Sequence, residues 1–297
     1  LDEGAIAIVA GFQGFNHDSR DITTLGRGGS DTTAVALSAV MGAEVCEIYT
    51  DVSGVFSADP RVVRKARKLD YVSYEEMLEL ASAGAKVINV RAVEFARRHE
   101  VSLHVRSSFT QESGTWISEA SEGETVEEPI VAGVTGDTSE AKITVVGVPD
   151  IPGKAAGIFT IVATAGANID LIVQNVSVHD TGRTDISFTL PKEDGQKAMD
   201  ALEEAKADSG FESLIYDDHI GRLSVVGAGM RANAGVSAQL FTALSSAGIN
   251  IEMISTSEIR ISVIMREEIL SDAVVAVHTA FGLDGDTEAT VHAGTGR

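Results

Sequence analysis

The segment Thr23-Thr24-Leu25-Gly26-Arg27-Gly28-Gly29-Ser30-Asp31-Thr32-Thr33 carries the strongest chemical signal in the chain. Its glycines let the backbone come close to a ligand. Ser30, Asp31 and Thr32 are capping residue types ahead of an apolar stretch that runs to Met41, so a helix N-terminus is expected there. Such an end offers unpaired N–H groups and the positive end of the helix dipole, which together receive anions. Arg27 could fork onto a carboxylate or phosphate. The plain alternative is a turn followed by an ordinary cap. A P-loop is excluded, because no Lys-Ser/Thr pair sits at the required spacing.

A second segment, Thr50-Asp51-Val52-Ser53-Gly54-Val55-Phe56-Ser57-Ala58-Asp59-Pro60-Arg61, begins where a parallel strand should end. In open α/β sheets, ligands bind outside the carboxyl ends of strands. Asp51 and Asp59 could hold a metal or a ribose, Phe56 could face a base, and Arg61 could touch phosphate. A solvated loop with Asp and Pro as turn formers is the alternative. Lys86 follows Gly84 at an expected helix end, where it could equally be a surface lysine completing a C-cap.

Other signals carry less. Gly227-Ala228-Gly229-Met230-Arg231-Ala232 imitates a dinucleotide fingerprint, with Glu252 near the place of a ribose-binding acid. That reading is rejected: an internal duplicate has Gly147-Val148-Pro149-Asp150 at the same place, and the following strand turns back as a hairpin. The seven histidines are scattered, with His99 and His104 flanking a helix end and a strand, and no metal role is assigned to any. Cys46, the single cysteine, lies in an apolar strand and reads as an inert core thiol.

The elements that would position these groups alternate. Strands are expected at Ala5 to Ala10 (buried), Glu44 to Tyr49 and Ser102 to Arg106. Helices are expected at Thr32 to Met41, from Ser73 through Ala83 on a capping-box spacing, and at Ala92 to Arg98. This rhythm predicts an α/β fold with a mostly parallel sheet and helices on both faces. Residues 110–128 turn polar and acidic and read as a linker with one short edge strand near Trp116. Beyond it the chain repeats itself. Lys142 to Gly147 matches Arg222 to Gly227, Ala165 to Ile169 matches Ala247 to Ile251, and Thr184 to Phe188 matches Ile259 to Val263. Each copy reads βαββαβ, the ferredoxin-like order, with last strands near Ser213 to Tyr216 and Ala289 to His292. Ile130 to Val134 is a spare strand. The expected division is 1–125 for the first domain and its linker and 126–297 for the tandem repeats, with copies at about 142–217 and 222–297.

The chain has 297 residues and a formal net charge of −21. Nucleic acids and anionic membranes need a basic footprint and are excluded as main partners. No apolar run is long enough to span a bilayer, and a single cysteine excludes a disulfide framework, so a cytoplasmic setting is expected.

Taken together, the Thr23–Thr33 segment, the Thr50–Arg61 segment and the tandem repeat resemble the aspartokinase family over nearly the whole chain, most nearly its actinobacterial, lysine- and threonine-regulated type. The resemblance implies the C-terminal part of an amino acid kinase fold followed by two ACT units, the later one discontinuous. It implies ATP-dependent phosphorylation of the side-chain carboxylate of L-aspartate, with ATP carrying Mg2+. Arg27, Gly28, Gly29 and Ser30 would hold aspartate, and Asp31 would orient the catalytic groups. Thr50, Asp51, Phe56, Arg61, Lys86 and Val87 would line the nucleotide site, with Phe56 standing where the family usually has Tyr. Lysine and threonine would bind at the ACT units. In the first copy, Asp150, Ala155, Asn168, Ile169, Asp170 and Gln174 would form the cleft. In the second, Ser237, Asn250, Ile251, Glu252, Glu258 and Ile259 would do so. A homodimer through the ACT units, or assembly with a regulatory subunit, is implied. The family's N-terminal Lys-Phe/Tyr-Gly-Gly segment has no match here, so the chain is expected to lack its N-terminal part and to be incomplete for catalysis alone. A non-catalytic amino-acid-sensing subunit is the rival reading, and another amino acid kinase with an ACT-like tail is a third.

Overall fold

Ser73 and Glu76 show how local sequence sets an element. The Ser73 hydroxyl accepts the Glu76 main-chain N–H, and Glu76 reaches back to the Ser73 N–H, both at 3.3 Å. This capping box starts a helix where its spacing predicts one. The structure, a computed structural model, describes residues 4–119, 130–175 and 182–292. Most of the acidic run Glu119 to Glu128 lies outside them.

The N-terminal lobe contains β1 (Gln13–Phe15), β2 (Ile22–Thr24), α1 (Gly29–Met41), β3 (Cys46–Thr50), β4 (Tyr71–Ser73), α2 (Tyr74–Ser82), α3 (Val90–Arg98), β5 (Leu103–Ser107) and β6 (Thr115–Ser118). β1 and β2 form a small hairpin. The main sheet runs β3-β5-β6-β4, with β3/β5 and β4/β6 parallel and β5/β6 antiparallel. Two expectations are corrected. The strand at Trp116 is internal, not an edge, because fully buried Ile117 locks it between β5 and β4. Ala5 to Ala10 forms no strand and is exposed, with Ile8 at 96%. An apolar run becomes a strand only where a ladder partner exists, and no described strand pairs with it.

β7 (Gly133–Asp137) precedes the repeats. The first repeat contains β8 (Glu140–Pro149), α4 (Lys154–Thr164), β9 (Ile172–Gln174), β10 (Arg183–Pro191), α5 (Lys192–Glu204), the short α6 (Lys206–Ser209) and β11 (Ser213–Asp217). Its sheet order, β11-β8-β10-β9, is the ferredoxin-like one. The second contains β12 (Ile220–Val226), α7 (Val236–Ser246), β13 (Met253–Thr256), β14 (Arg260–Arg266) and α8 (Leu270–Ala280). Its sheet runs β13-β14-β12-β7. β7 thus fills the place of a last strand, three residues later than the expected spare strand. Ala289 to His292 is correspondingly not a strand. It crosses back to the N-terminal lobe, where Ala289 N–H donates to the Arg64 carbonyl and His292 N–H to the Asp51 carbonyl.

Every residue of β12 is buried, as expected of a strand covered on both faces. One face joins Leu240, Leu270 and Val274 in a core that also takes Ala58, Val63 and Ala66 from the N-terminal lobe. On the other face Arg222 sits 2% exposed. Its guanidinium meets Asp170 of the first repeat, Glu140 at 2.9 Å and Asp137 at 3.2 Å, and donates to the Ser82 carbonyl at 2.9 Å. One cation therefore ties both repeats to the C-terminal end of α2.

Candidate functional site

The turn before α1 is built on backbone conformation. Gly26 and Gly28 have φ of 81° and 76°, in the left-handed region that favours glycine. Gly28 itself is the N-cap and no side chain caps the helix, which corrects the capping role expected of Ser30, Asp31 and Thr32. A Cβ on Gly28 would stand 2.5 Å from Asn89 Nδ2. Asn89 is the organising partner: its side chain donates to the Arg27 carbonyl at 3.1 Å and caps α3 by accepting the Arg91 N–H at 2.9 Å. Asp31, 6% exposed, accepts the Asn89 main-chain N–H at 3.3 Å. Arg27, Gly28, Ser30 and Asp31 then line one cleft with Lys86, Ile88 and Asn89. Gly29 is buried behind it against Leu25. No described carboxylate pairs with the Arg27 guanidinium, and the cleft mouth is open to an anion.

The second segment leaves the C-terminal end of β3, as a ligand loop should. Thr50, Asp51, Phe56, Arg61, Lys86 and Val87 all line a neighbouring cleft of about 260 Å³. Arg61 holds Asp51 at 2.9 Å, and Thr50 donates to the other Asp51 oxygen at 3.0 Å. Asp59 accepts the Arg61 N–H at 2.9 Å, so it does the turn-forming work of the plain alternative. Phe56 is half-buried and packs on the second repeat's core.

Lys86 is the wall common to both clefts. It adds nothing to the C-cap of α2, which closes through the Ala83, Gly84 and Ala85 N–H groups. Its ammonium has no ion-pair partner among the described residues. Two clefts, each with residues suited to an anion, thus share a cationic side chain.

Several lining residues escape sequence reasoning. Asn89 stands directly before the α3 pattern, an N-cap signal that could have found it. Thr135 to Thr138 and Leu270, Ser271 and Val274 of α8 also line the cleft of Thr50 and Asp51. Nothing local announces them, because they arrive from the repeats. Glu76, expected only as the far end of the capping box, has a second partner: its other oxygen accepts the Ala228 N–H at 2.9 Å, joining α2 to the turn after β12. That turn is no dinucleotide loop. A Cβ on Gly227 would stand 2.4 Å from the Ile130 carbonyl oxygen, so this glycine serves packing.

In the first repeat, Asp150, Ala155 and Gln174 line one pocket of about 310 Å³ at the start of α4. Asn168, Ile169 and Asp170 do not: Asn168 N–H faces Asp194, Ile169 packs on the repeat's core and Asp170 is bound to Arg222. The second-repeat residues are not gathered into one pocket. Asn250 and Ile251 line a shallow pocket beyond α7, and Ser237 is exposed on α7. Glu252 pairs with Lys142 and Arg266, Glu258 pairs with Arg231 at 3.1 Å, and Ile259 is buried. Cys46 is buried, and burial pushes its thiol up, as expected of an inert core cysteine.

Comparison with known proteins agrees with this architecture. Residues 1–107 match the amino acid kinase family, and residues 143–205 and 223–281 match the ACT domain. The aspartokinase of Mycobacterium tuberculosis is 58% identical over the whole chain, and that of Corynebacterium glutamicum 54%. The chain spans 70% of the length of each. Among solved structures, Clostridium acetobutylicum aspartate kinase superposes with a TM-score of 0.77 at 27% identity, covering 91% of this chain and 62% of that one. Escherichia coli aspartokinase III in complex with aspartate and ADP gives 0.79 at 26%, covering 91% and 59%. No described helix is long and apolar enough to cross a membrane. With the clefts, the twin ferredoxin-like sheets and these relatives in agreement, the chain belongs to the aspartokinase family.

Proposed function

We propose that the two clefts sharing Lys86 form one phosphoryl-transfer site, with aspartate against Arg27 to Asp31 and ATP in the cleft lined by Thr50, Asp51, Phe56, Arg61, Lys86 and Val87. The reaction is ATP-dependent phosphorylation of the aspartate side chain to 4-phospho-L-aspartate. A carboxylate oxygen forms the new bond to the γ-phosphorus, the bond to the β–γ bridging oxygen breaks, and ADP leaves. Both reactants are anions, so the chain must bring them together and neutralise charge rather than supply a strong base. Arg27 grips a substrate carboxylate. Lys86 answers the phosphate charge between the clefts. Asp31, through Asn89, holds the α1 and α3 N-termini in register. Mg2+ carried by ATP would offset phosphate charge, and Asp51, which lines that cleft paired with Arg61, is the hard oxygen donor that could meet it there.

The observation that carries this reading is the position of Lys86 in both clefts. It is also why the sensing-subunit reading is not favoured. The pocket of Asp150, Ala155 and Gln174 is the effector site we assign to the first ACT unit, for lysine or threonine, and the ACT units pair two chains in a cytoplasmic homodimer. Trapping the acyl phosphate with hydroxylamine tests the reaction, and ADP calorimetry tests the cleft. In an enzyme completed at its N-terminus, Lys86→Ala should abolish the first, and in the chain itself it should weaken the second at least tenfold, by about 1.5–3 kcal/mol. Undiminished ADP binding would remove Lys86 from the site.

A further inference from the structure

A hydrogen-bonded chain, buried at Ser57 and His278 and half-buried at Asp284, links the nucleotide loop to α8 of the second ACT unit. Ser57 lies between Phe56 and Ala58, which both line the nucleotide cleft. Its Oγ is 2.8 Å from Nε2 of His278 on α8, and His278 Nδ1 is 3.0 Å from Oδ1 of Asp284. Ser57 and His278 are both fully buried.

The direction of each bond follows from the chemistry of the partners. An ionised Asp284 can only accept, so His278 Nδ1 carries the proton and donates. Nε2 of the neutral ring then accepts the Ser57 hydroxyl. The Ser57 oxygen in turn accepts the Arg67 main-chain N–H at 2.9 Å. Burial holds the His278 ring below the ordinary histidine range, against the pull of Asp284, which keeps this neutral tautomer in place. Asp284 is itself steadied by the Thr279 hydroxyl at 3.2 Å.

Ser, His and Asp in this order suggest a hydrolytic triad, but the site excludes one. The Ser57 oxygen is sealed from solvent and already accepts a main-chain N–H, so no acyl group can reach it. What the chain reaches is the loop itself. Ser57 also accepts Val134 N–H of β7 through its own carbonyl at 2.7 Å, so both its side chain and its backbone are held by the second unit. The same helix that carries His278 supplies Leu270, Ser271 and Val274 to the nucleotide cleft.

We propose that Ser57, His278 and Asp284 are positioning residues through which the second ACT unit fixes the nucleotide loop in its ATP-binding shape. They touch neither substrate. They hold Phe56 and Ala58 where the cleft needs them, so their loss weakens nucleotide binding while leaving aspartate binding intact. This inference rests on the assignment of the nucleotide cleft made above.

The test uses the full chain and ADP as the probe. Calorimetry is run on wild type, Ser57→Ala, His278→Gln, Asp284→Ala, Asp284→Asn and the Ser57→Ala/His278→Gln double variant, with Lys86→Ala as a cleft control and the thermal midpoint recorded for each. Each disrupting single variant should raise the ADP Kd roughly fivefold. The double variant should be no worse than the poorer single, because one chain of bonds is broken once. Asp284→Asn keeps a carbonyl acceptor for Nδ1–H and should recover most of the affinity. Where the enzyme turns over, the KM for ATP should rise and that for aspartate should not. If the singles lower the thermal midpoint but leave the ADP Kd unchanged while Lys86→Ala weakens it, the relay is structural only and the proposal fails. If Lys86→Ala leaves ADP binding unchanged as well, it is the cleft assignment that fails.

Discussion

The Asp31 carboxylate accepts the main-chain N–H of Asn89 at 3.3 Å, joining the start of α1 to the start of α3 across 58 positions of sequence. Two helix N-termini therefore converge on one cleft, and Gly28 leaves no room for anything but Asn89 between them. Gly28→Ala should displace Asn89 and force a left-handed alanine. We expect a stability loss of about 1–2 kcal/mol in urea unfolding from the backbone conformation alone. Asp31→Asn should retain more stability than Gly28→Ala but lose aspartate turnover. Equal stability of Gly28→Ala and wild type would show that the turn relaxes without cost.

Arg27→Ala removes a guanidinium that lines the cleft proposed for aspartate. A charge-assisted pair contributes about 1.5–3 kcal/mol, so in an enzyme completed at its N-terminus kcat/KM for aspartate should fall at least tenfold. The KM for ATP should change much less. Kinetics that overlay wild type would take Arg27 out of the substrate site.

Gln174 lines the Asp150 pocket, and Ser187 on the neighbouring strand bonds Thr144 at 2.9 Å. Gln174→Ala or Ser187→Ile should weaken inhibition by lysine plus threonine and spare basal activity. An inhibitor acts by binding one state better than another, so losing that difference loses control without harming chemistry. Inhibition curves unchanged in both variants would place the effector elsewhere.

Arg222→Met leaves Asp137, Glu140 and Asp170 clustered without their cation. Breaking a buried pair by removing one partner costs about 3–5 kcal/mol, and denaturant unfolding of the full chain should show it. Glu140→Gln should cost less. Burial pushes the Glu140 carboxyl up more than Arg222 pulls it down, so its charge is already disfavoured in the fold. A larger loss for Glu140→Gln than for Arg222→Met would reverse this picture.

The His278 ring titrates below its ordinary value because it is buried. The unfolded chain therefore takes up a proton first on acidification. The stability this neutral ring contributes is complete above the unfolded pKa of about 6.5 and is lost as pH falls from there toward the folded value. Thermal midpoints followed downward from neutral pH should drop more steeply in wild type than in His278→Gln. Parallel curves would mean that His278 is not the titrating group.

The sequence by itself determined what depends on near neighbours. The Ser73–Glu76 capping box fixes the start of α2 through bonds three residues apart. The matching strands at Lys142 and Arg222, with their hairpin returns, announce two similar sheets because each pattern is carried within one short stretch. All six residues expected at a nucleotide site line one cleft, since most of them leave one strand end together. Tertiary structure decided whatever needed a distant partner. β7 closes the second sheet in place of Ala289 to His292, because pairing with β12 depends on where the chain returns. Ala5 to Ala10 has the composition of a strand but no ladder. Asp170 has the chemistry of a ligand-binding acid but is taken by Arg222, 52 residues away. Lys86 is an exposed lysine, as its sequence context suggests, but only packing sets the Arg27 turn on one side of it and the Asp51 loop on the other.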